Sequence, residues 1–139
     1  MPSPEKLLER LKDMQTVIDE LIDLSETVPV IVEGRRDVQA LGRIGVVHNV
    51  LPLNKGVSIF QFCEQISMEF REAIILTDLD HRGGKLARAL KEGLSANGVR
   101  ANEKIRSRIA LVSAKEVRDI ESLPSYLERL RSKSPEKDR

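Results

Sequence analysis

Tryptophan is absent from this chain, tyrosine occurs once, and phenylalanine three times. So few rings disfavour the aromatic platforms on which single-strand binders stack successive bases. Cysteine is scarce as well: Cys63 stands alone in an apolar helical stretch, so no internal disulfide can form. That usage suits a reducing cytoplasm, and Cys63 reads as core rather than as a reactive thiol. With His48 and His81 the only histidines, the chain cannot supply a zinc site of the cysteine and histidine type. Long apolar runs are missing too. None approaches the ~20 residues that cross a bilayer, and charge begins at Glu5, so neither membrane insertion nor export is expected. Nor does one sign of charge prevail: 23 Lys and Arg against 22 Asp and Glu leave a formal net charge of +1. Any basic footprint for a nucleic acid must therefore be local.

What the chain does have is a regular alternation of apolar segments within 139 residues, enough for one domain with a real core. From Ser3, the residues Leu7, Leu8, Leu11, Met14, Ile18, Leu21 and Ile22 recur at helical spacing, predicting one amphipathic helix over residues 1–26. Its stripe must be covered by the domain's own helical layer or by a second copy of the chain, which would make a homo-oligomer through this helix. Strands are predicted at Val28–Val32, Val46–Leu51, Ala73–Thr77 and Val99–Ala101. Helices fall at Arg35–Arg43, from a Ser58 cap to about Phe70, and from Gly83-Gly84 to Asn97-Gly98. Asn102 can cap a further helix carrying Ile105, Ile109 and Val112, although Arg108–Val112 can also be read as a strand. Pro124 leads into a last short helix, and Ser132–Arg139 reads as a frayed charged tail. The fold class is α/β, a four-stranded, mostly parallel sheet with helices on both faces plus the N-terminal helix.

Two segments carry the chemistry. Val28-Pro-Val-Ile-Val-Glu-Gly34 and Ile74-Ile-Leu-Thr-Asp-Leu-Asp-His-Arg-Gly83 are apolar runs that end in acid and glycine. Buried parallel strands look like this, so Glu33, Asp78 and Asp80 should emerge at strand C-termini, where α/β sheets keep their sites. Converging carboxylates repel one another, and a hard divalent cation is the usual reason to gather them. Asp78 and Asp80, two residues apart, would point the same way in an extended segment. The trio could hold one Mg²⁺ or two, with Mn²⁺ able to stand in. Gly34 is expected to permit a tight strand-to-helix turn, and Gly83-Gly84 to leave amides free for phosphate at a helix start. Arg35, Arg36, His81, Arg82, Lys85 and Arg88 could grip a nucleic-acid backbone, with a solvated helix face as the plainer account of each. Asp37 can cap the helix after Gly34 or orient water at the ion, and Arg118-Asp119-Ile120-Glu121 can add a second polar patch.

These segments resemble the signature of the Toprim domain, the topoisomerase-primase module that is also found in ribosomal-RNA maturation nucleases and recombination mediators. The first motif, a strand ending in Glu-Gly, is here Val30-Ile31-Val32-Glu33-Gly34 with Asp37 in the customary place. The second, Asp-x-Asp and then glycine, is Asp78-Leu79-Asp80 followed by Gly83. The likeness spans residues 27–112, leaving 113–139 as a C-terminal helical extension and tail, and the small size is similar to stand-alone Toprim proteins of archaea and bacteria. It implies a Toprim fold, Mg²⁺ at Asp78 and Asp80, and Glu33 as ligand or general acid/base. Beside these implied roles, the residues' own positions leave Gly34, Arg35, Asp37, His81, Arg82 and Lys85 as the candidate phosphate or nucleic-acid contacts. A topoisomerase would need a separate tyrosine-bearing domain, for which Tyr126 near the chain's end leaves no room. Three functions stay open: a Mg²⁺-dependent nuclease acting on RNA or DNA, a non-catalytic nucleic-acid or protein-binding module, and a receiver-type signalling domain. The last wants its acid pair after the first strand, where Glu33 stands alone.

Overall fold

The computed structural model describes residues 2–53 and 55–134. The elements run α1 (Pro4–Ser25), β1 (Val30–Val32), α2 (Arg35–Arg43), β2 (Val50–Pro52), α3 (Ile59–Ser67), β3 (Glu72–Ile75), α4 (His81–Ala96), β4 (Arg100–Asn102) and α5 (Lys104–Val112). A 3-10 turn (Ile120–Ser122) and α6 (Leu123–Lys133) follow. The four strands form one sheet in the order β2-β1-β3-β4, and every neighbouring pair is parallel. From β1 the chain steps outward to β2, then crosses back to lay β3 on the other side. The order therefore reverses between β1 and β3, and their C-terminal ends face a single crevice.

Alternate side chains of the central strands divide the core. Val30, Val32, Ile74 and Leu76 join Met14, Val17, Ile18 and Leu21 of α1, Ile105 and Ile109 of α5, and Leu123, Leu127 and Leu130 of α6. Ile31, Ala73 and Ile75 face the other way, onto Phe62, Cys63 and Ile66 of α3 and Ala87, Leu90 and Leu94 of α4. Helices thus cover both faces of the sheet. The stripe of α1 packs on its own chain, mainly against α5 and α6. Among the described residues no helix is long and apolar enough to cross a membrane.

Several expected boundaries move, each for a local reason. Strand two begins at Val50 rather than Val46, because residues 44–49 are used in turning. Gly45 adopts φ +98° and Asn49 φ +54°. The Val46 N–H closes α2 on the Leu41 carbonyl at 2.9 Å, and Asn49 Nδ2 donates to the Ser25 carbonyl at 2.7 Å. Strand one loses Val28, whose N–H bonds to Leu24 O at 2.9 Å and finishes α1. Helix α4 starts at His81, two residues before the expected glycines, because Asp80 caps it. Arg108–Val112 lies within a helix, not a strand. Glu103 occupies the N-cap of α5 without a side-chain bond, while Asn102 Oδ1 accepts from Lys104 N at 3.0 Å, one residue ahead of the usual place. Ser132 and Lys133 continue α6, and residues 135–139 of the expected tail lie outside the described residues, as does Asn54.

Because α1 shares its core with the sheet, truncating its buried stripe should be felt globally. Leu21→Ala should cost about 2–5 kcal/mol in urea unfolding, as a fully buried leucine does. Leu111→Ala, at a side chain 79% exposed, should change stability by less than about 0.5 kcal/mol.

Candidate functional site

Register brings the two motifs together. Val30 pairs with Ile74 and Ile31 with Ile75, so Glu33 comes level with the residue before Asp78. Glu33 Oε2 there accepts the Asp78 N–H at 2.8 Å, tying the ends of β1 and β3. The other polar groups of Asp78 are anchored as well. Its carbonyl oxygen accepts Arg106 Nη2 at 2.6 Å, and its Oδ1 accepts the Ile120 N–H at 3.0 Å. Arg106 Nε donates to the preceding carbonyl, Thr77 O, at 3.1 Å, and the Leu79 N–H donates to Arg118 O at 2.7 Å. Of all the polar atoms of Asp78, only Oδ2 has no hydrogen bond among the described residues.

The same division recurs in the neighbouring acids. Asp37 Oδ2 accepts from Gly34 N at 3.1 Å, Asp80 Oδ1 from Gly83 N at 2.6 Å, and Asp119 Oδ1 from Ser122 N at 2.8 Å. In each carboxylate one oxygen holds the backbone and the other takes no hydrogen bond among the described residues. Asp78 and Asp80 nevertheless serve different elements, one fixed by the segment at 120 and the other capping α4.

Electrostatics identifies the tighter group. Burial first, then the charges of Glu33, Asp37 and Asp119, push Asp78 up to about 6 against the bond from Ile120, which lowers it. Asp37 is raised too, by burial and then by Glu33, Glu121 and Asp119, with its Gly34 bond opposing. The sequence pointed to Asp80 as the third acid of this hollow; the charges that raise Asp78 are those of Glu33, Asp37 and Asp119, the last from the patch at 118–121, while Asp80 is exposed and caps α4. Among the described residues, no three His, Cys, Asp or Glu side chains are gathered as a preformed metal-ion cage. The donor chemistry still fits a hard divalent cation. The donors are all oxygens with uncommitted lone pairs, and no salt bridge among the described residues neutralises Glu33, Asp37, Asp78 or Asp80. Mg²⁺ commonly takes one or two carboxylates and completes its shell with water and phosphate.

The two motif glycines have unequal roles. Gly34 has φ −155°, an extended value open to any residue, and a Cβ there would meet nothing within 4 Å. The expected need for a tight turn is therefore absent, and the position is open space beside the acids. Gly83 is different, since a Cβ would lie 1.9 Å from Asp78 O. Thr77, itself fully buried, secures this approach by donating its hydroxyl to Gly83 O at 2.8 Å. Of the expected basic contacts, Arg35 sits exposed on the first turn of α2, and His81, Arg82 and Lys85 are exposed at the start of α4. Arg36 forms an exposed 3.9 Å pair with Glu121, and Arg88 is exposed. Arg106 is the residue that sequence reasoning missed. It stands next to Ile105 in a helix read for its apolar spacing, and nothing local marks it as a donor to a loop 28 residues earlier.

The Toprim domain family matches residues 28–112. The chain is similar to a UPF0292 protein of Methanosarcina acetivorans, 38% identical over 133 residues that cover 93% of this chain and 88% of that one. It is also similar to a UPF0292 protein of Methanocaldococcus jannaschii, 40% identical over 123 residues, 88% of this chain and 91% of that one. A solved structure of a protein from Aquifex aeolicus superposes with a TM-score of 0.67 at 27% identity, covering 78% of this chain and 95% of that one.

Two measurements test the geometry. Gly83→Ala should destabilise by about 2 kcal/mol or more, since a backbone carbonyl must move. Gly84→Ala meets only a side-chain nitrogen at 4.0 Å and should be neutral or stabilising by up to about 1 kcal/mol. The second concerns pH. The Asp78 carboxyl starts from 3.8 and rises to about 6 in the fold, so the folded state is favoured below about pH 4 and loses that advantage as pH rises through 6. Asp78→Asn should therefore melt a few degrees above wild type at pH 8, roughly 1–2 kcal/mol after solvent screening, and match it at pH 4. Equal melting points at both pH values would show that Asp78 carries no such strain.

Proposed function

This chain belongs to the Toprim domain family, and from that premise we propose that it is a Mg²⁺-dependent, nuclease-like enzyme acting on phosphodiester bonds of RNA or DNA. The observation that carries this reading is the state of Asp78. Every polar atom but one carboxylate oxygen is anchored, the group is desolvated among acids, and it stands at the switch point of the sheet. Desolvation and like charge are tolerated where function needs them.

Asp78 and Glu33 would hold the cation, with Asp80 and Asp37 at its margin, and Mn²⁺ would serve in place of Mg²⁺. Bound there, the ion would offset the clustered charge and stabilise the charge that develops on the transferring phosphoryl group. The open Oε1 of Glu33 is suited to orient the attacking water and take up its proton. Arg35, Arg82 and Lys85, with His81, lie at the N-terminal ends of α2 and α4 and would neutralise backbone phosphates. The extended Gly34 leaves room for the backbone to approach. The Gly83 and Gly84 amides, expected to be free, are taken by Asp80 Oδ1 and Asp80 O, so the amides left for phosphate at the start of α4 are those of His81 and Arg82. We place this activity in a reducing cytoplasm, where buried Cys63 would remain a thiol.

One observation favours a second reading, a non-catalytic Toprim module that binds nucleic acid or protein. The carboxylates do not form a ready cage, and Glu33 already spends one oxygen on Asp78 N.

The deciding experiment incubates the protein with end-labelled structured RNA, single-stranded DNA and duplex DNA, in Mg²⁺ or EDTA, beside Asp78→Asn. Cleavage should require the metal and fall at least about a hundredfold in the variant. Nucleic acid that stays intact yet binds equally to both proteins would replace the enzyme with the binding module.

A further inference from the structure

The carboxylate of Asp78 is fixed by a group from outside the span that matches the family. Residues 28–112 supply Glu33 and Arg106, which hold its backbone, but its side chain is held by the main-chain N–H of Ile120 at 3.0 Å. A second bond lies alongside, from the Leu79 N–H to Arg118 O at 2.7 Å. Together they make a two-rung bridge between 78–79 and 118–120.

The donor is itself well anchored. Ile120 is fully buried in the core that contains Val117, Leu123 and Leu127. Asp119 caps the 3-10 turn by accepting from Ser122 N at 2.8 Å. Ile120 is the first residue of that turn, where an N–H has no acceptor within the turn and is free to donate outward. A carboxylate with one oxygen held by a rigid amide keeps a set direction for the other, and outer contacts of this kind are worth about ten- to a hundredfold in metal affinity.

We propose that the Ile120 N–H is a positioning group for the Asp78 carboxylate, making the C-terminal segment 118–120 a working part of the cation site. This rests on the reading of Asp78 as a cation ligand.

Proline offers a direct test, because it deletes the N–H alone from the backbone. Asp119, at φ −134° and ψ 155°, has the extended conformation that a residue before proline prefers, and proline is tolerated at the first position of a helical turn. Ile120→Ala is the paired control: it loses the buried side chain and keeps the N–H. Both variants are compared with wild type by thermal melting and by calorimetric titration with Mg²⁺ alone. Both should melt lower, but Ile120→Ala should bind Mg²⁺ within about threefold of wild type while Ile120→Pro binds about tenfold or more weakly. Equal Mg²⁺ affinity in the two variants would overturn the positioning role and leave the cation site standing. Wild type that takes up no Mg²⁺ at millimolar concentration would remove the cation reading and this inference with it. Should Ile120→Pro fail to fold, the Ile120 amide of isotope-labelled wild type decides by hydrogen exchange. A protected amide at saturating Mg²⁺ supports the role, and one exchanging like an unstructured amide overturns it.

Discussion

The hydrogen bond from Asp78 N to Glu33 Oε2 joins the ends of β1 and β3, and the arrangement of the site depends on it. Parallel register places the two residues within reach, but register alone would leave two buried-strand ends carrying acids that repel. By donating its backbone N–H, Asp78 turns one of those acids into a partner for its own main chain. Arg106 adds positive charge from behind through the Thr77 and Asp78 carbonyls, not through the carboxylates. The loop is thus held firmly while the acids keep their charge and their open oxygens. Direct salt bridges would have steadied the loop equally well and consumed the chemistry.

Such a cluster is a local liability in a molecule whose net stability is the small remainder of large opposing contributions. The strands beneath it offset the repulsion, because Val30, Ile31, Val32, Ile74, Ile75 and Leu76 are fully buried and packed by helices on both sides. Rigid support and a strained polar end on the same strands are the division expected where stability has been given up for function.

Much of this was legible in the sequence, and the reasons are specific. Val30-Ile31-Val32 and Ala73-Ile74-Ile75 are buried on both faces, so their apolar runs are continuous and their acidic ends easy to find. The stripe of α1 is equally plain, because its partners lie on one side only. What could not be read depends on distant approach. The weight of Asp119 and the part played by Arg106 follow from where α5 and the 3-10 turn pack. Val46 and Val47 look like strand residues and pull the expected start of strand two forward, while Gly45 and Asn49 must turn the chain first. The glycines misled for a related reason: a glycine's need is set by what stands opposite its Cα. Space lies in front of Gly34 and a carbonyl in front of Gly83.

Residues 28–112 contain the sheet and both acidic motifs, yet α1 and α6 share one hydrophobic cluster with β1 and β3, and the 3-10 turn touches the Asp78 loop through two hydrogen bonds. α6 packs on the turn, the turn carries Ile120, and the Ile120 N–H holds the carboxylate. Because α1 packs against both α5 and α6, that chain of contacts runs through the whole face of the sheet opposite α3 and α4. The N- and C-terminal elements therefore complete the face that supports the site, and the orientation of Asp78 is a property of the whole described chain rather than of its two motifs.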